Sequence, residues 1–281
     1  MKTKLFALLF AILASVVTMN AQQPAEISVT DNSLADWNNL PAAYVAEAVC
    51  PNDAEYTGLN NVKVYATESY INILVEPNME IVTDLEWVPF DIFFDTDNSD
   101  LTGGYGDIFE DANTDILLEG GLYSDGTAVS YAPGVFQWWG EIGGYGWEWT
   151  DPEIVHTDAD CWGALVCEGA LAGCSSQYVD GKFEIQILRS AIPVTWNDTT
   201  FGIGMGIMQS WDFVGVLPIS SPTDDNFMGA ANKLKVRIHK AAATGMESVS
   251  SQEKVSTIMR NGQIFIRRGE KTYTVTGQEV K

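Results

Sequence analysis

Apolar residues recur at every second position along most of this chain, and few folds accommodate that. Ile71, Ile73 and Val75 fall on one face of an extended segment, as do Phe90, Ile92 and Phe94. Phe183, Ile185 and Ile187 alternate with Glu184 and Gln186, and Leu234, Val236 and Ile238 with Lys235, Arg237 and His239. Residues two apart share a strand face, so each run reads as a strand with one apolar side. Ser124-Asp125-Gly126 and Asp180-Gly181 supply turns between them. Beyond the N-terminal segment no long stretch carries a helical period. The expectation is an all-β protein, a two-sheet antiparallel β-sandwich.

The termini read differently from the body. Met1-Lys2-Thr3-Lys4 precedes an apolar run from Leu5 to Val17, and Ala21 follows as a small residue. That is the pattern of a signal peptide, residues 1–21, and it is too short for a transmembrane helix. No later apolar run approaches spanning length, so no transmembrane segment is expected. Residues 22–240 then form the sandwich and 241–254 a polar linker. Residues 255–281 read as a small hairpin, with strands at Gly262–Ile266 and Thr272–Val275 about an Arg268-Gly269 turn. Four cysteines, Cys50, Cys161, Cys167 and Cys174, suit an oxidising compartment and read as two disulfides. If all four pair within the chain, at least one bridge ties Cys50 to the 161–174 segment. The connectivity stays open.

Charge excludes several partners. The net charge is −23, and between Lys63 and Lys182 there is no Lys or Arg, against 23 Asp and Glu. A chain without phosphate-neutralising residues there is not built for nucleic acid or for an anionic membrane. Within this stretch Asp95, Asp97, Asp100 and Asp107 follow an apolar strand. Two carboxylates about 4 Å apart repel by roughly 4 kcal/mol at an effective dielectric of 20. With no base nearby in sequence they stay solvated, share protons or hold a cation. Calcium, which takes carboxylate and backbone oxygens in irregular geometry, suits them. A solvated acidic turn held by Asx hydrogen bonds is the other reading.

Two further stretches stand out. FQWWGEIGGYGWEWT, residues 136–150, holds Trp138, Trp139, Trp147 and Trp149 with Glu141 and Glu148. Adjacent Trp138 and Trp139 face opposite sides of a strand, so one of that pair at most is in the core. The indoles either pack internally or form a platform for a sugar, with Gln137, Glu141 and Glu148 taking hydroxyls. In FGIGMGIM, residues 201–208, glycines alternate with Phe201, Ile203, Met205 and Ile207. Three glycines on one strand face imply something bulky against the backbone. Either neighbouring aromatic rings or a flat ligand would serve, with the tryptophan stretch a natural occupant.

Asp31-Asn32-Ser33-Leu34-Ala35-Asp36-Trp37 resembles the opening of family 9 carbohydrate-binding modules and related DOMON-like β-sandwiches. DIFFDTDNSDLTGGYGDIF with DILLEG, GKFEIQILRSAIP and KLKVRI are similar to later strands of that group, in the same order. The resemblance covers roughly residues 27–240. It implies a two-sheet sandwich that often binds sugar and in some relatives haem. Haem ligands here would be His156 with Met205 or Met208. No catalytic constellation has a motif context, so a non-catalytic protein is expected. GMESV and MRNGQIFIRRGEKTYTVTGQEVK resemble the C-terminal sorting tail of type IX secretion cargo. That implies the type IX machinery as a partner and a secreted or outer-surface location in a Gram-negative bacterium.

Overall fold

The computed structural model describes residues 23–51, 57–104, 113–140, 142, 171–219 and 232–241. It also describes the backbone of strands within 148–150, 161–166 and 255–280. The body, Gln23–Lys240, is one compact unit. It contains β1 (Val45–Val49), β2 (Leu59–Thr67), β3 (Tyr70–Pro77), β4 (Trp87–Asp95) and β5 (Ile116–Ser124). β6 (Thr127–Ala128), β7 (Gly134–Trp138), β8 (Glu148–Thr150), β9 (Cys161–Val166) and β10 (Cys174–Val179) follow. β11 (Lys182–Leu188), β12 (Thr200–Gln209), β13 (Asp212–Leu217) and β14 (Leu234–His239) complete it. Short 3-10 turns are the only helical structure described, and no described helix is long and apolar enough to cross a membrane.

The protein is all-β, as the period requires. The inward residues read from the sequence form one core: Ile71, Ile73 and Val75 of β3, Phe90, Ile92 and Phe94 of β4, and Phe183, Ile185 and Ile187 of β11. Phe201, Ile203, Met205 and Ile207 of β12 join them, each with no exposed surface. Of the two methionines considered for haem, Met205 packs in the core and Met208 is also buried, while His156 lies outside the described residues. The Asp125-Gly126 and Asp180-Gly181 turns both have positive φ, which hairpin loops of two residues demand and Asp-Gly tolerates.

The strands of the body form one continuous sheet and not a clearly separate pair. A 14-stranded sheet runs in the order β10-β11-β3-β2-β14-β12-β4-β5-β7-β9-β8, with β1, β6 and β13 paired to its sides. β14 makes the join. It pairs parallel to β2 at Ile238–Ala66 and His239–Thr67, and antiparallel to β12 from Thr200–Arg237 to Ile203–Leu234. One strand shared by both layers closes the sheet toward a barrel around the core. Alternation reveals which face is apolar but not which edges meet.

Two further expectations change. Cys50 and Cys174 are free thiols, so no bridge joins them. β11, β3 and β2 lie between β10, which begins at Cys174, and β1, which Cys50 follows. That separation is beyond the Cα spacing of about 7 Å that a disulfide spans. Burial pushes the Cys174 thiol up to about 12. Cys161 is placed by backbone only, and Cys167 lies outside the described residues. The tail, a second unit, is a four-stranded meander and not a hairpin: β15 (Val255–Arg260), β16 (Gln263–Arg268), β17 (Lys271–Thr274) and β18 (Glu279–Val280).

Candidate functional site

Where β4 ends, Asp95 is followed by a tight polar loop. Asp95 Oδ1 and Asp97 Oδ1 both accept the Ser99 N–H, at 3.2 and 3.0 Å, and Thr102 Oγ1 donates to Asp97 at 3.0 Å. This is the Asx-bonded acidic turn considered from the sequence. The chain returns through Asp115, just before β5, because the antiparallel register sets Phe94 opposite Ile116. Asp115 Oδ2 accepts from Thr96 N at 2.8 Å and from Thr96 Oγ1 at 3.1 Å. Burial raises its carboxyl above the ordinary range, the Thr96 bonds oppose that, and Asp97 and Asp95 add to the rise.

The tryptophan stretch arrives at the same place. Trp138 N donates to Asp115 O at 2.9 Å. Its indole packs with Phe93, Leu117 and Val216, and lies so close to Gly104 that a Cβ there has no room. Trp138 is 7% exposed and Trp139 is 36% exposed. The pair divides between interior and surface. A cleft of about 610 Å³ opens here, lined by Asp97, Asp115, Gln137 and Trp138 together with Thr96 and Thr195. It combines carboxylate acceptors, an amide and an indole edge, which suits hydroxyl recognition. The acidic loop and the Gln137–Trp138 part of the tryptophan stretch, read separately in the sequence, line one cleft.

Carboxylate oxygens of Asp95, Asp97 and Asp115 lie within 4.8 Å of one another, which a metal ion could bridge. The expected set of Asp95, Asp97, Asp100 and Asp107 is thus altered. Asp115 enters, and Asp100 points to solvent with its nearest cation, Lys233, at 3.6 Å. Asp107 lies outside the described residues, as do Trp147 and Glu141; Glu148 and Trp149 are placed in β8 by backbone alone. Asp115 was visible in principle, as the first residue of DILLEG. Lys233 was not. Its Nζ sits 2.6 Å from Asp95 Oδ2 and donates to Asn113 O at 3.1 Å, from 138 residues away. The absence of counter-charge is a property of the sequence neighbourhood and not of the fold.

The bulky group expected over the β12 glycines is, at Gly202, this same ion pair. A Cβ on Gly202 would meet Lys233 Cδ at 3.0 Å and Asp95 Cβ at 3.1 Å. The chain matches no family model, no curated protein and no solved structure.

Proposed function

We propose that the body is a secreted or surface-exposed, non-catalytic domain that binds carbohydrate in the Asp97–Trp138 cleft. The observation that carries this is the meeting of the acidic loop and the tryptophan stretch at one cleft. Acids and amides there take sugar hydroxyls beside the edge of the largely buried Trp138 indole. The DOMON-like, family 9 reading of the fold gains support from contact between two of its resembling stretches. Trp37 Nε1 donates to Glu184 Oε1 at 2.6 Å, joining the opening motif to β11. On this reading the two sheets of the sandwich are joined by β14. Export follows from the signal-like residues 1–21, and the tail, 255–281, directs the protein to type IX secretion and the outer surface of a Gram-negative cell.

A glycan array probed with the purified protein tests the cleft. Asp97→Asn, Gln137→Ala and Thr195→Val, all in the lining of the cleft, are expected each to weaken binding about tenfold, the usual effect of losing one good polar contact. Full affinity in all three variants would remove the cleft from the account.

A cation in this loop is the second reading, favoured by the 4.8 Å grouping of Asp95, Asp97 and Asp115. Calcium at a hundredfold excess over its Kd then stabilises by about 2.7 kcal/mol, and chelator reverses the gain. Melting curves indifferent to both would exclude it. The competing class, an adhesive protein with a protein partner, draws on Trp211. This side chain is 68% exposed at the β12–β13 hairpin tip, with φ at +69°. Trp211→Ala abolishing cell adhesion while sparing the glycan array would favour that class.

A further inference from the structure

A second cavity, of about 560 Å³, lies on the outer face of β2, β3 and β11. Register writes its floor. Lys63 in β2 is opposite Leu74 in β3, and Asn61 is opposite Glu76. Along the other edge of β3, Phe183 is opposite Val75, which brings Lys182 beside Glu76. Lys182 Nζ donates to Glu76 Oε2 at 2.6 Å, and Lys63 Nζ lies 3.2 Å from Glu47 Oε1. The two lysines that bracket the long base-free stretch of sequence therefore meet on one face.

The 3-10 turn Ala35–Asn39 forms a wall and contributes Trp37 and Asn38. Trp37 is pinned. Besides its bond to Glu184, it packs on the cluster of Ile27, Val29 and Tyr65. An indole already held in place loses little freedom when a ligand docks on it. Asn61 Nδ2 donates to Glu47 at 2.7 Å, which leaves its carbonyl oxygen for a ligand.

Lys63 and Lys182 balance Glu76 and Asp180, so the lining is neutral in a chain of charge −23. That balance narrows the ligand. The field of the whole molecule opposes an anion. A cation meets two ammonium groups, and an apolar ligand strands donors and acceptors without partners. Each ammonium has three donors and spends one on its carboxylate, so donors remain next to carboxylate and amide acceptors. A neutral polyol satisfies both kinds while laying its C–H face on the indole.

We infer that this cavity is a separate binding site for a neutral sugar, held by Asn38, Asn61, Lys63, Lys182 and Glu76 against Trp37. It is independent of the Asp97–Trp138 cleft, and either site stands or falls alone. The test is calorimetric titration of the purified full chain with neutral gluco-, xylo- and manno-oligosaccharides and with an oligouronate. A neutral oligosaccharide is expected to bind, with affinity at least tenfold weaker in Lys182→Met and in Asn38→Ala and unchanged in Lys235→Met, which removes an exposed β14 lysine outside both cavities. Circular dichroism melts establish that the variants are folded. The inference is overturned by three results: no neutral oligosaccharide binds, binding survives both cavity variants intact, or the oligouronate binds more tightly. Binding lost only in Asp97→Asn also overturns it, while leaving the cleft reading in place.

Discussion

Replacing Lys233 with methionine is expected to destabilise the body by about 3–5 kcal/mol, the cost of leaving a buried charge without its partner. Asp95 has 4% of its side chain exposed and Lys233 15%, and their atoms are 2.6 Å apart. Asp95 keeps only the Ser99 N–H once the ammonium is gone, and Asn113 O loses a donor as well. Methionine preserves most of the lysine stem over Gly202, so lost packing is a small part of the effect. For a body of this size the loss lowers Tm by about 6–20 °C. Asp95→Asn in the same chain should recover much of it, because the stranded charge disappears. A double-mutant cycle by urea denaturation measures both, and a single-variant loss below about 1 kcal/mol would show that the pair is solvated after all.

Asp91→Asn is expected to act in the opposite direction. Asp91 is fully buried on β4, and neither carboxylate oxygen has a hydrogen-bond partner. Burial pushes its carboxyl well above the ordinary range, and Glu119, its cross-strand neighbour, adds to the rise. The folded chain keeps this proton at pH values where the unfolded chain has released it. Stability from this group is therefore complete below the unfolded value, near about pH 4, and falls as pH rises toward the folded value. Each unit of separation is worth about 1.4 kcal/mol. Asparagine removes the titration, so the variant is more stable at neutral pH and its stability falls less between pH 5 and 8. Glu119, Asp115 and Glu184 are raised too, and they keep a residual slope in the same direction. Urea midpoints at several pH values decide it: parallel profiles for the two proteins would mean that Asp91 is ionised in the fold.

Features that depend on a few neighbouring residues were legible in the chain. Period two assigned the buried faces of β3, β4, β11 and β12, and Asp-Gly pairs marked two turns, because side-chain direction and backbone φ are local properties. The sequence also marked the polar loop after Asp95 and the opposed directions of Trp138 and Trp139. The β12–β13 turn escaped, since Ser210 and Trp211 adopt positive φ without the usual glycine or asparagine.

Tertiary structure alone decided which edges join and which charges meet. β14 bonds to β2 and β12 together, and no alternation pattern encodes a strand's two neighbours. Lys233 reaches Asp95, and Lys63 and Lys182 flank one cavity, through pairings of segments more than a hundred residues apart. The thiols of Cys50 and Cys174 stay apart for the same reason: three strands intervene. Charge and cavity are properties of distance in space, which the chain specifies only through the summed burial of its whole core.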